Sequence, residues 1–139
     1  MFQLDPAFCA TSHLIGELAL CQARLQADAR YPWLVLLPRV GGARELEDLS
    51  HGQRGRLMDE ILLAGAAVRA AAEALGRPVA KLNVGQLGNV TPQLHVHVVG
   101  RRPDDMAWPG PVWGHGTAEA YAAAALETAL AAARNALGL

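Results

Sequence analysis

The chain has 139 residues, a length that suits one domain with one hydrophobic core. Hydrophobic residues make up 52% of it and the formal net charge is −1, so neither disorder nor binding to nucleic acid or an anionic membrane is expected. No apolar run is long enough to span a membrane, the N-terminus has no signal-peptide pattern, and the two cysteines lack metal-ligand spacing. These features predict a cytoplasmic protein with a single domain over residues 1–139.

The first part of the chain predicts a pair of strands. The segment from His13 to Gln26 alternates imperfectly between apolar and polar residues, and a more apolar run begins at Trp33. Pro32 suits the turn between the two strands. Pro38 limits the second strand because proline has no N–H to donate.

A long helix is predicted after this hairpin. Ser50 and Gln53 have the spacing of a capping box, and Gly76 with Pro78 provides a stop signal. Gly65 lies inside the helix, where small residues would permit close packing on a sheet. The residues of the predicted buried face recur at helical spacing: Leu57, Ile61, Ala64, Val68, Ala71 and Leu75.

The second half predicts two more strands and a C-terminal helix. AKLNVGQLG and QLHVHVVGR are the strand candidates, and a loop rich in proline, glycine and tryptophan follows them. A helix is expected from Thr117, and its buried side would carry Ala122, Leu126, Leu130, Ala133 and Leu137. The sum predicts an α+β fold in which two helices pack on an antiparallel sheet.

The stretch TPQLHVHVVGRR carries the chemistry. In a strand, side chains alternate between the two faces, so Gln93, His95 and His97 share one face. The apolar residues between them point to the other face and can supply the core. Imidazoles at this spacing suit either attack on one substrate or joint binding of a metal ion.

The alternatives to a catalytic pair are a structural role and a metal site. A histidine in a strand is often only a buried residue with satisfied hydrogen bonds. Zinc sites need a third and a fourth ligand, whereas the other histidines are scattered along the chain and neither cysteine has ligand spacing. We therefore predict no metal and no cofactor.

QLHVHVV resembles the signature of the histidine triad (HIT) superfamily, in which three histidines alternate with apolar residues. Every position matches except the first, where Gln93 replaces histidine. The resemblance extends over about residues 14–101 in the order hairpin, long helix, strand, loop and motif strand, and residues 102–139 form the tail. The tail sequence WPGPVWG is similar to that of a bacterial subgroup of small HIT-like proteins.

The resemblance implies a HIT-like fold and a nucleotide hydrolase. His95 matches the histidine that attacks the α-phosphorus of the nucleotide to form a covalent nucleotidyl-histidine. The backbone carbonyl of Gln93 would accept the proton on the other ring nitrogen of His95, and His97 would contact the phosphate oxygens. The implied substrates are a nucleoside phosphoramidate or a dinucleoside polyphosphate.

Further contacts follow from the resemblance. Asn89, Asn83 and Gln86 are candidates for the phosphate or the leaving group, and Asp28 for the ribose hydroxyls. Ordinary turn chemistry is the alternative for all four. Gly85 and Gly88 would let the backbone approach the ligand, and Trp33 lies near a position where many family members have another histidine.

Several questions stay open at this level. Four apolar residues would form either a nucleobase wall or core: Leu4, Phe8, Leu14 and Leu25. Trp108 and Trp113 would stack on a ligand or, as we favour, pack against a second subunit, since family members are commonly homodimers. Gln93 is either a tolerated substitute or the mark of a changed activity, and the alternative function is a non-catalytic nucleotide-binding protein.

Overall fold

The computed structural model describes all 139 residues, which build one antiparallel sheet of five strands with three α-helices and a 3-10 helix. The strands lie side by side in the order β1-β2-β3-β5-β4, and every neighbouring pair is antiparallel. The predicted α+β fold is therefore confirmed. The elements along the chain are α1 (Pro6–Thr11), β1 (Ser12–Glu17), β2 (Cys21–Gln26), β3 (Trp33–Pro38), the 3-10 helix (Leu46–Asp48), α2 (His51–Ala74), β4 (Lys81–Gly85), β5 (Val96–Arg101) and α3 (Ala123–Leu137).

The segment predicted as a single strand before the turn at Pro32 is in fact two strands, β1 and β2. A tight turn over residues 18–20 joins them, and the pairing carries a bulge between Leu14 and Gly16. The turn has none of the glycine, proline, asparagine or aspartate residues that usually mark one. The sequence therefore offered no local signal for it.

Groups from distant parts of the chain hold this turn instead. The buried carboxylate of Glu60, on α2, accepts the backbone N–H groups of Leu20 and Cys21 at 2.9 and 2.8 Å. On the other side, the Arg39 guanidinium donates to the carbonyls of Leu18 and Ala19 at 2.8 and 3.2 Å. The donors and the acceptors of the turn are both satisfied by side chains that only the folded chain brings there.

Helix α2 begins as the sequence predicts. The Ser50 hydroxyl accepts the N–H of Gln53, and the Gln53 side chain accepts the N–H of Ser50 in return, which is a complete capping box. Gly65 faces the sheet so closely that a Cβ there would lie 2.9 Å from a methyl group of Leu82. The small residues of the helix therefore permit close packing on the strands.

Apolar residues cover both faces of the sheet. Leu34, Leu36, Val96 and Val98 point towards α2 and α3 and form the larger core with them. On the opposite face a smaller cluster joins strand residues to α1 and to the loop after β5, and its members are Phe8, Tyr31, Trp33, Val35, Leu37, Val99, Ala107 and Val112. Helix α1 and the loop after β5 thus cover the face that the two long helices leave free.

Helix α3 starts six residues later than the sequence predicts. Residues 117–122 are not helical because Glu119 pairs with the loop between β2 and β3: its carbonyl accepts from Ala29 N–H at 2.7 Å. Ala122, predicted to be buried, is the exposed N-cap residue, whereas Ala129, Ala133 and Leu137 are buried against the core. No helix of the structure is both long and apolar enough to cross a membrane.

Replacing Glu60 is expected to destabilise the fold strongly. Glu60→Leu leaves the two turn N–H groups without their charged acceptor, which costs about 3 kcal/mol of the free energy of unfolding. Urea denaturation at one fixed protein concentration measures this loss. Glu73→Leu is the matched control, because Glu73 is exposed on the same helix and its replacement should change stability by about 0.5 kcal/mol or less. Equal midpoints for both variants would contradict the role assigned to Glu60.

Candidate active site

The two motif histidines lie side by side on the sheet face opposite α2 and α3. His95 immediately precedes β5 and His97 lies within it, so the strand starts three residues later than predicted. The predicted alternation nevertheless holds, since Leu94, Val96 and Val98 all belong to the helix-side core. The imidazole rings are 4.9 Å apart at an interplanar angle of 80°, and both residues are more than 90% buried.

A backbone carbonyl sets the protonation pattern of His95. Its Nδ1 lies 2.6 Å from the carbonyl oxygen of Gln93. A carbonyl can only accept, so Nδ1 carries the proton of this hydrogen bond. In the neutral ring Nε2 then holds a lone pair, which is what a nucleophile needs. The contact expected between Gln93 and His95 is present in the structure.

An indole sets the opposite pattern for His97. Trp33 donates its Nε1–H to Nδ1 of His97 at 3.0 Å, and because an indole can only donate, Nδ1 is the acceptor. The proton of the neutral ring is therefore on Nε2. Burial and the neighbouring His95 lower the pKa of His97 to about 4, so the ring is neutral near pH 7. Trp33 therefore contacts His97 directly and fixes which of its ring nitrogens carries the proton.

The histidines open into a cavity of about 390 Å³, a size typical of small-molecule sites. Its wall combines aromatic rings, small polar side chains and the loop after β4, and it contains no charged side chain. A ligand here would meet the two imidazoles as its only titratable groups. The lining residues are Phe8, Thr11, Gln26, Trp33, Leu87, Gly88, Asn89, Val90, Thr91, His95, His97, Trp113 and Gly114.

Of the three polar side chains that the sequence suggests near the phosphate or leaving group, only that of Asn89 lines the cavity, together with the neighbouring Gly88. The Oδ1 of Asn83 accepts from the Arg101 guanidinium at 2.8 Å, on the same sheet face as His97 but further along β5. The Gln86 side chain donates to the neighbouring carbonyl of Leu87 at 2.7 Å and does not line the cavity. Asn83 and Gln86 are therefore close to Asn89 in sequence, but neither lines the cavity.

Asp28 is engaged elsewhere and is not part of the cavity wall. Its carboxylate forms a buried ion pair with Arg30 at 2.8 Å and also accepts the N–H of Glu119. Although burial by itself opposes ionisation, the hydrogen bonds from Arg30 hold the pKa of Asp28 below its usual value. The carboxylate therefore anchors the turn before β3 and the segment before α3.

The Gln93 side chain also points away from the histidine cavity. Its amide bonds to the backbone of residues 3 and 5 in the N-terminal segment, within a second cavity of about 320 Å³. Only its carbonyl reaches the histidines. A catalytic contact between the Gln93 side chain and a ligand at the histidines is thus not part of the arrangement.

Sequence reasoning missed the polar residues Thr11 and Gln26, which line the cavity from α1 and the end of β2. Neither has a local pattern that distinguishes it from an ordinary strand or helix residue. Trp113 was noted only as a packing or stacking residue, and its ring lies 5.5 Å from that of His97. Gly85 makes room for it, because a Cβ there would lie 3.0 Å from the indole.

The four apolar residues considered for a nucleobase wall or the core have different environments. Phe8 lines the cavity and sets its ring edge-on to His95 at 4.8 Å. Leu25 is fully buried in the helix-side core, Leu4 packs against the opposite cluster, and Leu14 is 47% exposed. No three His, Cys, Asp or Glu side chains lie close enough together to hold a metal ion.

Trp33→Phe is expected to change the tautomer of His97 while an aromatic ring still packs at this position. The phenyl ring fills much of the same space but cannot donate to Nδ1, so the proton becomes free to occupy either ring nitrogen. Nitrogen-15 chemical shifts of the two ring nitrogens report this directly. In the native chain we expect the Nε2–H form and titration at about pH 4. An unchanged His97 tautomer in Trp33→Phe would show that the indole does not select it.

Comparison with known proteins places the chain in a family. The model of the HIT domain matches residues 8–104. No functionally curated protein matches the chain significantly. The chain therefore belongs to the histidine triad family by its domain match, and the solved structures that it resembles agree.

Three solved bacterial structures are similar over almost the whole chain. A histidine triad protein from Bradyrhizobium japonicum has 37% identity and a TM-score of 0.91, with 98% of each chain covered. One from Sinorhizobium meliloti has 39% identity and a TM-score of 0.89, covering 99% of this chain and 98% of the other. One from Marinobacter aquaeolei has 38% identity and a TM-score of 0.87, covering 99% and 97%. The cavity with its two buried imidazoles thus lies in a member of the histidine triad family.

Proposed function

We propose that the chain is a nucleotide hydrolase of the HIT type that acts at the α-phosphorus through a covalent nucleotidyl-His95. The observation that supports this most is the pair of opposite tautomers. His95 offers a lone pair on Nε2, and His97 offers a proton on Nε2, on adjacent rings in one cavity. A nucleophile beside a neutral hydrogen-bond donor suits attack on the α-phosphorus of a nucleotide.

The reaction runs in two displacements. Nε2 of His95 attacks the α-phosphorus and the bond from phosphorus to the leaving group breaks. The leaving group departs with the bonding pair and takes up a proton from solvent. Nε2–H of His97 donates to a non-bridging oxygen on which charge develops. Water then attacks the same phosphorus, the bond to Nε2 breaks, and its electron pair returns to the ring. The nucleoside monophosphate is released and the water proton passes to solvent.

The remaining polar groups of the cavity suit the rest of a nucleotide. Asn89 and Thr91, on the loop after β4, lie on the wall that also holds the histidines and would contact phosphate oxygens or the leaving group. Gln26 and Thr11 would meet the ribose hydroxyls or the base edge. Asp28, Asn83 and Gln86 have no place in this site, because their side chains bond elsewhere.

The lack of charge in the wall favours one substrate class over the other. A nucleoside phosphoramidate brings one anionic phosphorus centre and a leaving group that departs as an amine. A dinucleoside polyphosphate would bring several ionised phosphates to a wall with no cation. Burying unpaired charge is costly, so the phosphoramidate is the preferred substrate of this proposal.

Intact mass after brief exposure to substrate tests the function. The native chain mixed with adenosine phosphoramidate is expected to gain the mass of one adenylyl group, and His95→Ala to gain none. Turnover of the phosphoramidate should exceed that of diadenosine tetraphosphate. His51→Ala serves as the matched control, because His51 is exposed at the start of α2 and does not line the cavity.

Two outcomes would contradict the proposal. Undiminished turnover in His95→Ala would remove the nucleophile from the mechanism. Nucleotide binding by calorimetry without any adduct or turnover would make the chain a non-catalytic nucleotide-binding protein. This is the alternative raised by Gln93, which stands in place of the first histidine of the motif. The first result concerns the mechanism and the second the activity itself.

We also propose that the chain forms a homodimer through the open edge of β4. This strand pairs only with β5, so its other edge has free backbone groups. Beside it, between α2 and β4, lies an apolar groove of about 250 Å³ lined by Leu62 and Val84, which are 68% and 52% exposed. A second copy related by a twofold axis would continue the sheet antiparallel and cover these side chains.

Light scattering during gel filtration checks the dimer. The native chain is expected at twice its 14.7 kDa, and Val84→Lys at the mass of one chain, because a charge would then face the twofold contact. Met106→Lys is the control, since Met106 is 62% exposed on the loop after β5. A native chain that elutes as a monomer, or Val84→Lys as a dimer, would exclude this interface.

A further inference from the structure

The amide of Gln93 makes two hydrogen bonds to the backbone on either side of Leu4. Its Oε1 accepts the N–H of Asp5 at 2.9 Å, and its Nε2 donates to the carbonyl of Gln3 at 2.7 Å. Both polar groups of the side chain are therefore used on a segment about 90 residues away in sequence. We call this pair of bonds the Gln93 latch.

The latched segment leads directly to the ring beside His95. The Asp5 side chain caps α1 by accepting the N–H of Ala7 at 2.9 Å, and Pro6 occupies the first turn. Within the same turn, Phe8 is buried and its ring meets that of His95 at a steep angle, with centroids 4.8 Å apart. The position of Phe8 thus depends on where the latch holds the start of this short helix.

Residue 93 therefore acts on His95 by two routes. Its carbonyl accepts from Nδ1 of the ring at 2.6 Å, and its side chain fixes the segment that carries Phe8. The first route fixes the tautomer and the tilt of the imidazole. The second places the Phe8 ring against the imidazole.

The chemistry of the latch explains why an amide suits this position. A primary amide presents a donor and an acceptor from the same end of a planar group, and it keeps both at any pH in the physiological range. A neutral imidazole has one of each on nitrogens that diverge around the ring. Once protonated, it has no acceptor left for the N–H of Asp5. A histidine here could not make both bonds of the latch in its charged form.

We propose that Gln93 is a positioning residue, whose side chain latches residues 3–5 and so holds Phe8 against the His95 ring. The kinetic consequence rests on the function proposed above, whereas the placement of the segment and of the ring does not. Because the Gln93 side chain lies outside the histidine cavity, its loss should lower the rate of adduct formation and leave KM nearly unchanged.

Gln93→Glu is the sharpest variant. It keeps the shape and the backbone carbonyl but replaces the donor to Gln3 with an acceptor, so one bond of the latch becomes a repulsion. Gln53→Glu is matched in chemistry and charge, and at the third position of α2 a glutamate caps as well as glutamine does. We expect faster deuterium uptake over residues 3–9 in Gln93→Glu only.

Two further measurements follow the effect to His95. Carbethoxylation of His95 by diethyl pyrocarbonate, read by mass spectrometry, should become several-fold faster in Gln93→Glu, because the ring is less confined. The adduct rate at saturating phosphoramidate should fall about 10- to 100-fold. Phe8→Leu should show a similar loss, and in that background Gln93→Glu should cause little more, since both act through one contact.

The outcomes separate the latch from the function. Unchanged deuterium uptake in Gln93→Glu would overturn the latch, and faster uptake with unchanged carbethoxylation and adduct rates would overturn its action on His95. Losses that multiply in the double variant would show that Gln93 does not act through Phe8. A native chain that forms no adduct would count against the hydrolase alone, because uptake and carbethoxylation test the latch without substrate.

Discussion

The position of β5 inside the sheet constrains both the core and the candidate site. This strand lies between β3 and β4 and forms backbone hydrogen bonds with both. Its side chains can therefore point only to one face of the sheet or to the other. One face supplies Val96 and Val98 to the helix-side core, and the other carries His97 next to His95. Since the core anchors every second residue, the imidazoles are held by the same packing that stabilises the fold.

The histidine face would be open to solvent without the segments that cover it. Helix α1 brings Phe8, β3 brings Trp33, and the loop after β5 brings Trp113. Together they bury both imidazoles and exclude charged side chains from the cavity wall. Burial is also what lowers the pKa of His97, so the covering segments decide the charge of the site as well as its shape.

Hydrogen bonds from fixed partners divide the roles of the two histidines. A carbonyl takes the Nδ1 proton of His95, and an indole N–H occupies Nδ1 of His97. Two chemically identical side chains thereby become an acceptor and a donor towards the same cavity. The two roles require no charged imidazole, which suits a cavity wall that contains no counter-ion.

How much could be predicted varied with the range of the interactions involved. The capping box of α2 and the alternation around the motif are local patterns, and both were predicted correctly. The turn between β1 and β2 was missed because Glu60 and Arg39 satisfy it from distant positions. The late start of α3 was missed for the same reason, since Glu119 bonds to the loop before β3 in preference to extending the helix.

The same distinction applies to the site. The sequence by itself determined the family, the fold class and the pairing of His95 with His97, because a period of two and a short motif are properties of neighbouring residues. Only the tertiary structure decided that Asn89 lines the cavity while Asn83, Gln86 and Asp28 bond elsewhere, and that Gln26 and Thr11 take part in the wall. It also decided that the Gln93 side chain holds the N-terminal segment. Contacts between residues some 90 positions apart depend on how the chain packs, and no local pattern encodes them.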